Sequence, residues 1–159
     1  MGINPQLGHR VTREEALVHA ERCREAGLVH MVGRNKLDTL WLGVGPGSKL
    51  LTICNCCPCC CLWRVIPHVA SKIGAKVSRM PGVTVSVTEQ CTGCGDCTKK
   101  VCFVEAIHQI DGRAVISDVC RGCGRCIDVC PQQAIKLTFV GDGFVAASIA
   151  RLAPLVDVS

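Results

Sequence analysis

Between Arg13 and Ala26, Ala16, Leu17, Ala20 and Cys23 approximate one face, while arginine and glutamate fill most of the rest. That spacing predicts a helix with one apolar side. Its start is marked by Thr12-Arg13-Glu14-Glu15, a capping box in which the threonine hydroxyl accepts from the third helical N–H and Glu15 reaches back. Gly27 predicts the stop, with Leu28 as the apolar residue beyond the cap. Leu28 to Val32 and Thr39 to Val44 are short apolar runs that read as strands, followed by a loop of Gly43, Gly45, Pro46 and Gly47. This glycine group matches no phosphate-binding fingerprint. Leu50 to Ile53 reads as a further short strand, and Leu62 to Ile73 as a helix in spite of Pro67. Near the end, Val145, Ile149, Leu152 and Val156 share helical spacing and predict a helix packed on the body.

The strongest pattern is a repeat. Cys91-Thr92-Gly93-Cys94-Gly95-Asp96-Cys97 recurs 29 residues later as Cys120-Arg121-Gly122-Cys123-Gly124-Arg125-Cys126, and both copies run on to an Ala-Ile pair, Ala106-Ile107 and Ala134-Ile135. Composition changes how this is read. The chain holds 15 cysteines in 159 residues, five aromatic residues (Phe103, Phe139, Phe144, Trp41 and Trp63) and no tyrosine. So few large apolar side chains leave a small core, and metal or cross-links are the usual remedy. Disulfides are not expected, because the cysteine count is odd and several cysteines are sequence neighbours. Met1 to Arg10 is polar with no apolar run after it, so a secretory leader is not expected either. The expectation is a cytoplasmic protein with reduced thiols, in which dense cysteine means metal or redox chemistry.

The second copy, Cys120, Cys123, Cys126, Cys130 and Pro131, spells C-x2-C-x2-C-x3-C-P, the run of bacterial ferredoxins. Three thiolates two residues apart wrap a tight loop around three corners of an iron–sulfur cube, and Gly122 and Gly124 let the backbone approach. The fourth cysteine lies too far along to close the same cube and serves the other copy's. One cluster is thereby assigned Cys91, Cys94, Cys97 and Cys130, the other Cys120, Cys123, Cys126 and Cys102. Residues 83–137 resemble the two-cluster bacterial-type ferredoxin domain. The resemblance implies an α+β, pseudo-twofold fold of two short hairpins and two short helices around two [4Fe-4S] clusters, and low-potential one-electron transfer. A zinc-ribbon reading of the C-x2-C pairs leaves the third cysteine of each run without a role. The first copy departs from the pattern. Four residues separate Cys97 from Cys102 and no proline follows, which puts Cys102 about 100° out of phase if that turn is helical, unless a bulge restores it. A three-iron cluster or another fourth ligand in the second site is the alternative.

Upstream, six cysteines crowd into eight residues: Cys54, Cys56, Cys57, Cys59, Cys60 and Cys61. With Glu14-Glu15-Ala16-Leu17 and Gly27-Leu28-Val29-His30 ahead of it, the run Asn55-Cys56-Cys57-Pro58-Cys59-Cys60-Cys61 resembles a group of 4Fe-4S dicluster proteins that share an N-C-C-x-C-C-C segment. Adjacent cysteines in extended backbone point opposite ways, so one ion cannot take all six. A subset forms a candidate third site, for an iron–sulfur cluster or zinc, with Cys23 or a residue outside the run completing it. Redox-active or unliganded thiols are the other reading. His19, His30, His68 and His108 have no partner at a recognisable metal or acid–base spacing and read as surface or satisfied histidines, with His68 close enough to the run to test as a ligand. Lys99-Lys100 reads as a solvated pair.

This divides the chain into a small cysteine-rich α/β region over 1–82, the two-cluster domain over 83–137, and a tail over 138–159. Residues 1–80 carry 11 basic and 5 acidic side chains, against 7 and 8 in the remainder. Each oxidised cluster with its four thiolates adds about −2 to the second half, so the formal +5 of the whole chain describes a basic and an acidic half. No nucleic-acid partner is expected, and no apolar stretch is long enough for a membrane span. The leading function is an electron carrier serving a redox partner protein or a larger oxidoreductase complex. An iron–sulfur subunit with a catalytic cluster at the 54–61 run, and a redox or metal sensor, are the alternatives.

Overall fold

The computed structural model describes residues 3–33, 36–57 and 65–157. It is a small α+β structure in two units, Met1–Cys56 with Val145–Ser159 and Cys57–Phe144.

In the first unit, helix α1 spans Arg13–Glu25 and its capping box is formed: the Glu15 N–H donates to Thr12 Oγ1 at 3.2 Å and the Thr12 N–H to Glu15 Oε2 at 2.7 Å. At the other end Gly27 takes φ 71°, and the N–H groups of Gly27 and Leu28 donate to the Arg24 and Cys23 carbonyls, both at 2.9 Å. That pair of bonds is a Schellman stop. The expected apolar face is only partly covered. Cys23 is buried, but Leu17 is 59% exposed. The helix packs on strand β1, Val29–Gly33, which pairs antiparallel with β2, Thr52–Cys56. A two-stranded sheet of five-residue strands is too small to shield thirteen helical residues.

The run Thr39 to Val44 is not a strand. Lys36–Leu42 forms helix α2, with Leu40 and Trp41 exposed. An apolar run of four to eight residues fits either element, and nothing in its periodicity decides between them. The strand expected over Leu50 to Ile53 starts two residues later and continues through Cys54, Asn55 and Cys56. The C-terminal helix, Phe144–Leu152 (below, α5), buries Ser148 and half-buries Leu152, while Val145 and Ile149 stay exposed. Half of the expected stripe is thus covered, at Leu152 and Val156, while Ser148 is buried in place of its neighbour Ile149.

In the second unit, the helix expected over Leu62 to Ile73 is broken. Leu62 and Trp63 lie outside the described residues; Ile66–His68 is a 3-10 turn, Val69 and Ala70 are extended, and α3 spans Ser71–Gly74. Pro67 lies inside the 3-10 turn, and the chain leaves helical geometry two residues after it, where Val69 takes φ −86° and ψ 158°. Strands β4, Ile107–Ile110, and β5, Arg113–Ile116, form a hairpin whose turn residues Asp111 and Gly112 have φ 48° and 74°. Positive φ at both centres fits the twist of the flanking strands. The second sheet is a long-range ladder: β3, Val83–Val87, pairs antiparallel with β6, Ile135–Phe139. One hairpin and one closing ladder therefore stand where two hairpins were expected. The loops between hold a 3-10 turn at Asp96–Thr98 and helix α4 at Arg125–Asp128.

The two halves of this unit repeat each other's bonds. Thr88 N–H donates to Ala134 O and Ser117 N–H to Ala106 O, both at 2.8 Å; Cys91 N–H donates to Thr88 O and Cys120 N–H to Ser117 O, both at 3.2 Å. Left-handed φ values also match: 71° and 70° at Gly93 and Gly122, 53° and 47° at Glu105 and Gln133. The core is Val85, Cys97, Ile107, Ala114 and Ile135, and much of what packs around it is half-buried cysteine rather than hydrocarbon.

Candidate functional site

The thiols of the repeat sort into two sets that cross between copies. Cys91, Cys94, Cys97 and Cys130 line one cavity together with Gly93, Gly95, Ala114 and Ile135. Burial pushes the Cys97 thiol up, and the negative charges of Cys130, Cys94 and Cys91 add to the rise. In the other set, burial pushes Cys123 up to about 11, with Cys102 and Cys120 as the like charges beside it. Burial likewise pushes Cys126 up to about 12, with Cys123, Cys120 and Cys102 beside it. Cys102 therefore stands with Cys120, Cys123 and Cys126, in spite of the extra residue before it.

That residue is absorbed locally. The 3-10 turn ends at Thr98, and Lys100 takes φ 57°, a left-handed conformation that reverses the chain before Cys102. Beyond it the copies are back in step. Ala106 N–H donates to Cys102 Sγ at 3.2 Å and Ala134 N–H to Cys130 Sγ at 3.3 Å, the same four-residue relation.

Further backbone donors aim at the sulfurs. Ala114 N–H reaches Cys91 Sγ and Gly122 N–H reaches Cys120 Sγ, each at 3.4 Å. The Ala114 N–H, then the Gly93 N–H, hold the Cys91 thiol below its ordinary range. N–H donors favour the thiolate, whereas burial and crowding oppose it. A site that gathers four thiols, solvates some by N–H groups and strains others by mutual repulsion is relieved by a core carrying positive iron. The donor set thus fits an iron–sulfur cluster, and thiolate-only ligation by cysteine is what such clusters use.

Two glycines make the close approach. A Cβ on Gly93 would run into the Gly112 carbonyl oxygen, and one on Gly122 would sit 2.9 Å from Arg79 Cγ. Lys99 is exposed, as expected, and its Nζ pairs with Asp96 at 2.6 Å.

The upstream run is divided. Cys54 and Cys56 lie on β2, with Sγ atoms 3.2 Å apart; Cys54 is exposed and Cys56 fully buried. Cys57 is disulfide-bonded, so the expectation of reduced thiols throughout fails there. Cys59, Cys60 and Cys61 lie outside the described residues. Among the described residues, no three His, Cys, Asp or Glu side chains are grouped to hold a single metal ion.

Two histidines have partners that sequence spacing missed. His30 Nδ1 lies 2.7 Å from Asn55 Oδ1, and His19 Nε2 lies 3.3 Å from Asn55 Nδ2 and 3.5 Å from Cys23 Sγ. The i,i+4 spacing of His19 and Cys23 on a helix was the readable part; the Asn55 contacts depend on strand register, which puts His30 opposite Asn55.

Residues 97–139 match the family model of the LdpA Fe-S cluster-binding domain. The segment contains Cys97, Cys102, Cys120, Cys123, Cys126 and Cys130 and stops at the end of β6. This chain carries an iron–sulfur domain. It is also 32% identical over 79 residues to indolepyruvate oxidoreductase subunit IorA of Archaeoglobus fulgidus, which covers 50% of this chain and 11% of that relative. No solved structure matches. No described helix is long and apolar enough to cross a membrane.

Proposed function

We propose that residues 83–137 form a ferredoxin-type, two-cluster domain that carries single electrons at low potential. One [4Fe-4S] cluster is held by Cys91, Cys94, Cys97 and Cys130, the other by Cys120, Cys123, Cys126 and Cys102. The observation that carries this reading is the crossed sorting of eight thiols into two sets of four. When bound, each cluster supplies a one-electron couple. The chain's own groups tune it: N–H donors to Cys91, Cys102, Cys120 and Cys130 favour added negative charge, and the burial around Cys123 and Cys126 opposes it.

The matched relative is by name a subunit of an oxidoreductase, and the shared region is a small part of it. This favours an electron-transfer module that serves a larger oxidoreductase complex over a self-sufficient enzyme. Iron and acid-labile sulfide counts on anaerobically purified protein test the reading. About eight of each per chain are expected for two four-iron clusters. A protein that folds fully with zinc and takes up no sulfide would overturn it.

A further inference from the structure

A side-chain cation holds the turn that opens the first cysteine loop. Arg113, at the start of β5, donates from Nη2 to the Thr88 carbonyl at 3.0 Å. The same carbonyl accepts the Cys91 N–H at 3.2 Å, so the guanidinium and the first cysteine share one acceptor. The next residue along β5 reaches the sulfur itself: Ala114 N–H donates to Cys91 Sγ at 3.4 Å. We propose that Arg113 is the cation that raises the reduction potential of the cluster held by Cys91, Cys94, Cys97 and Cys130, a role that rests on the two-cluster reading.

The physics has a definite sign. A cluster that accepts an electron gains negative charge, and a cation beside it favours that reduced form. The Thr88 carbonyl anchors the long arginine side chain where its charge acts on the first set of thiols rather than trailing in solvent. Cys91 registers this: the N–H groups of Ala114 and Gly93 lower its thiol most, and the Arg113 charge adds to them.

The other half of the repeat has no cation in this place. Thr88 and Ser117 make matching bonds and lie 29 residues apart, so the mate of Arg113 is Thr84, an exposed residue of β3 that is short and uncharged. A cation of different placement serves that side: the stem of Arg79 lies against Gly122 in the second cysteine loop. Tuning the first cluster matters because it stands nearest solvent. Among the eight cysteines of the repeat, Cys94 alone is exposed. The potential that Arg113 sets is therefore the one a docking redox partner meets at that edge.

The test is a potentiometric titration of the full-length, reconstituted protein followed by electron paramagnetic resonance, with the two signals assigned by Cys130→Ala. Arg113→Gln should lower the midpoint potential of the first cluster and leave the second in place, and Arg113→Lys, which keeps the charge, should lose less. Arg79→Gln removes the same charge elsewhere and should leave the first potential where it is. Thr84→Arg places a cation at the matching position and should raise the second potential. Because Arg113 is exposed, added salt should shrink the gap between wild type and Arg113→Gln. A gap that salt leaves intact would make the role structural and overturn the proposal. So would an unmoved first potential in Arg113→Gln, an equal fall in both potentials, or an equal effect of Arg79→Gln. Where Arg113→Gln sheds the first cluster, an unmoved second potential in Thr84→Arg overturns it instead. A wild type with one cluster signal overturns the two-cluster reading and the proposal with it; two signals with unmoved potentials overturn the proposal alone.

Discussion

At Gly93 one hydrogen atom decides whether the first cysteine loop closes. Its φ of 71° suits glycine, and the neighbouring Gly112 carbonyl occupies the space a side chain would need. The left-handed conformation alone costs a side-chain-bearing residue about 1–2 kcal/mol, and the backbone collision adds to it. Gly93→Ala should therefore lower stability by at least about 1–2 kcal/mol and release iron from the Cys91 set first, as seen by denaturant titration with iron release. Glu15 makes a separate residue-level prediction. The Thr12 backbone N–H, then its hydroxyl, hold the Glu15 carboxylate below its ordinary range. A folded pKa below the unfolded one stabilises the helix start above the unfolded value, about 4.3, and that contribution is lost as pH falls through the folded value. Amide exchange at the Thr12 N–H should accelerate over that window, and Glu15→Gln should flatten the response. An exchange rate in the wild type that follows only the intrinsic pH dependence would count against the capping account.

Among the elements, the loop from Cys97 to Cys102 explains why the two copies differ in sequence and agree in space. Lys100 takes the positive φ that takes up the extra residue. Lys100→Gly should keep both clusters and gain up to about 1 kcal/mol by removing left-handed strain, whereas Lys100→Val should lose stability and iron at the Cys102 set. Thermal unfolding of the reconstituted variants distinguishes these outcomes. Spacing alone suggests a grouping of the eight thiols, because a loop around a compact cluster tolerates few spacings. The Lys100 reversal was foreseen only as a bulge, since spacing carries no φ. Helix α1 was legible at both ends, where capping is local chemistry. Thr39 to Val44 was misread because a short apolar run lacks a period long enough to separate strand from helix. The stripe on α5 was half legible, at Leu152, and missed Ser148 for a different reason: its burial depends on what packs there, not on its own hydrophobicity. The Asn55 contacts were hidden because they need the β1–β2 register.

For the molecule as a whole, cohesion of the second unit depends on sulfur. Its core holds few large apolar side chains, and Cys97 is itself one of the buried core residues. Crossed ligation would tie the two halves together, since each set of four draws its last thiol from the other copy. The β3–β6 ladder already links the ends of the same segment, so bound clusters and the ladder would brace one another. Single-cysteine replacement read by electron paramagnetic resonance on reduced, reconstituted protein tests this most directly. Cys130→Ala should damage the signal of the cluster built on Cys91, Cys94 and Cys97 and spare the one built on its sequence neighbours, and Cys102→Ala should do the converse. A Cys130→Ala protein that keeps the first signal and loses the second would contradict the crossed arrangement.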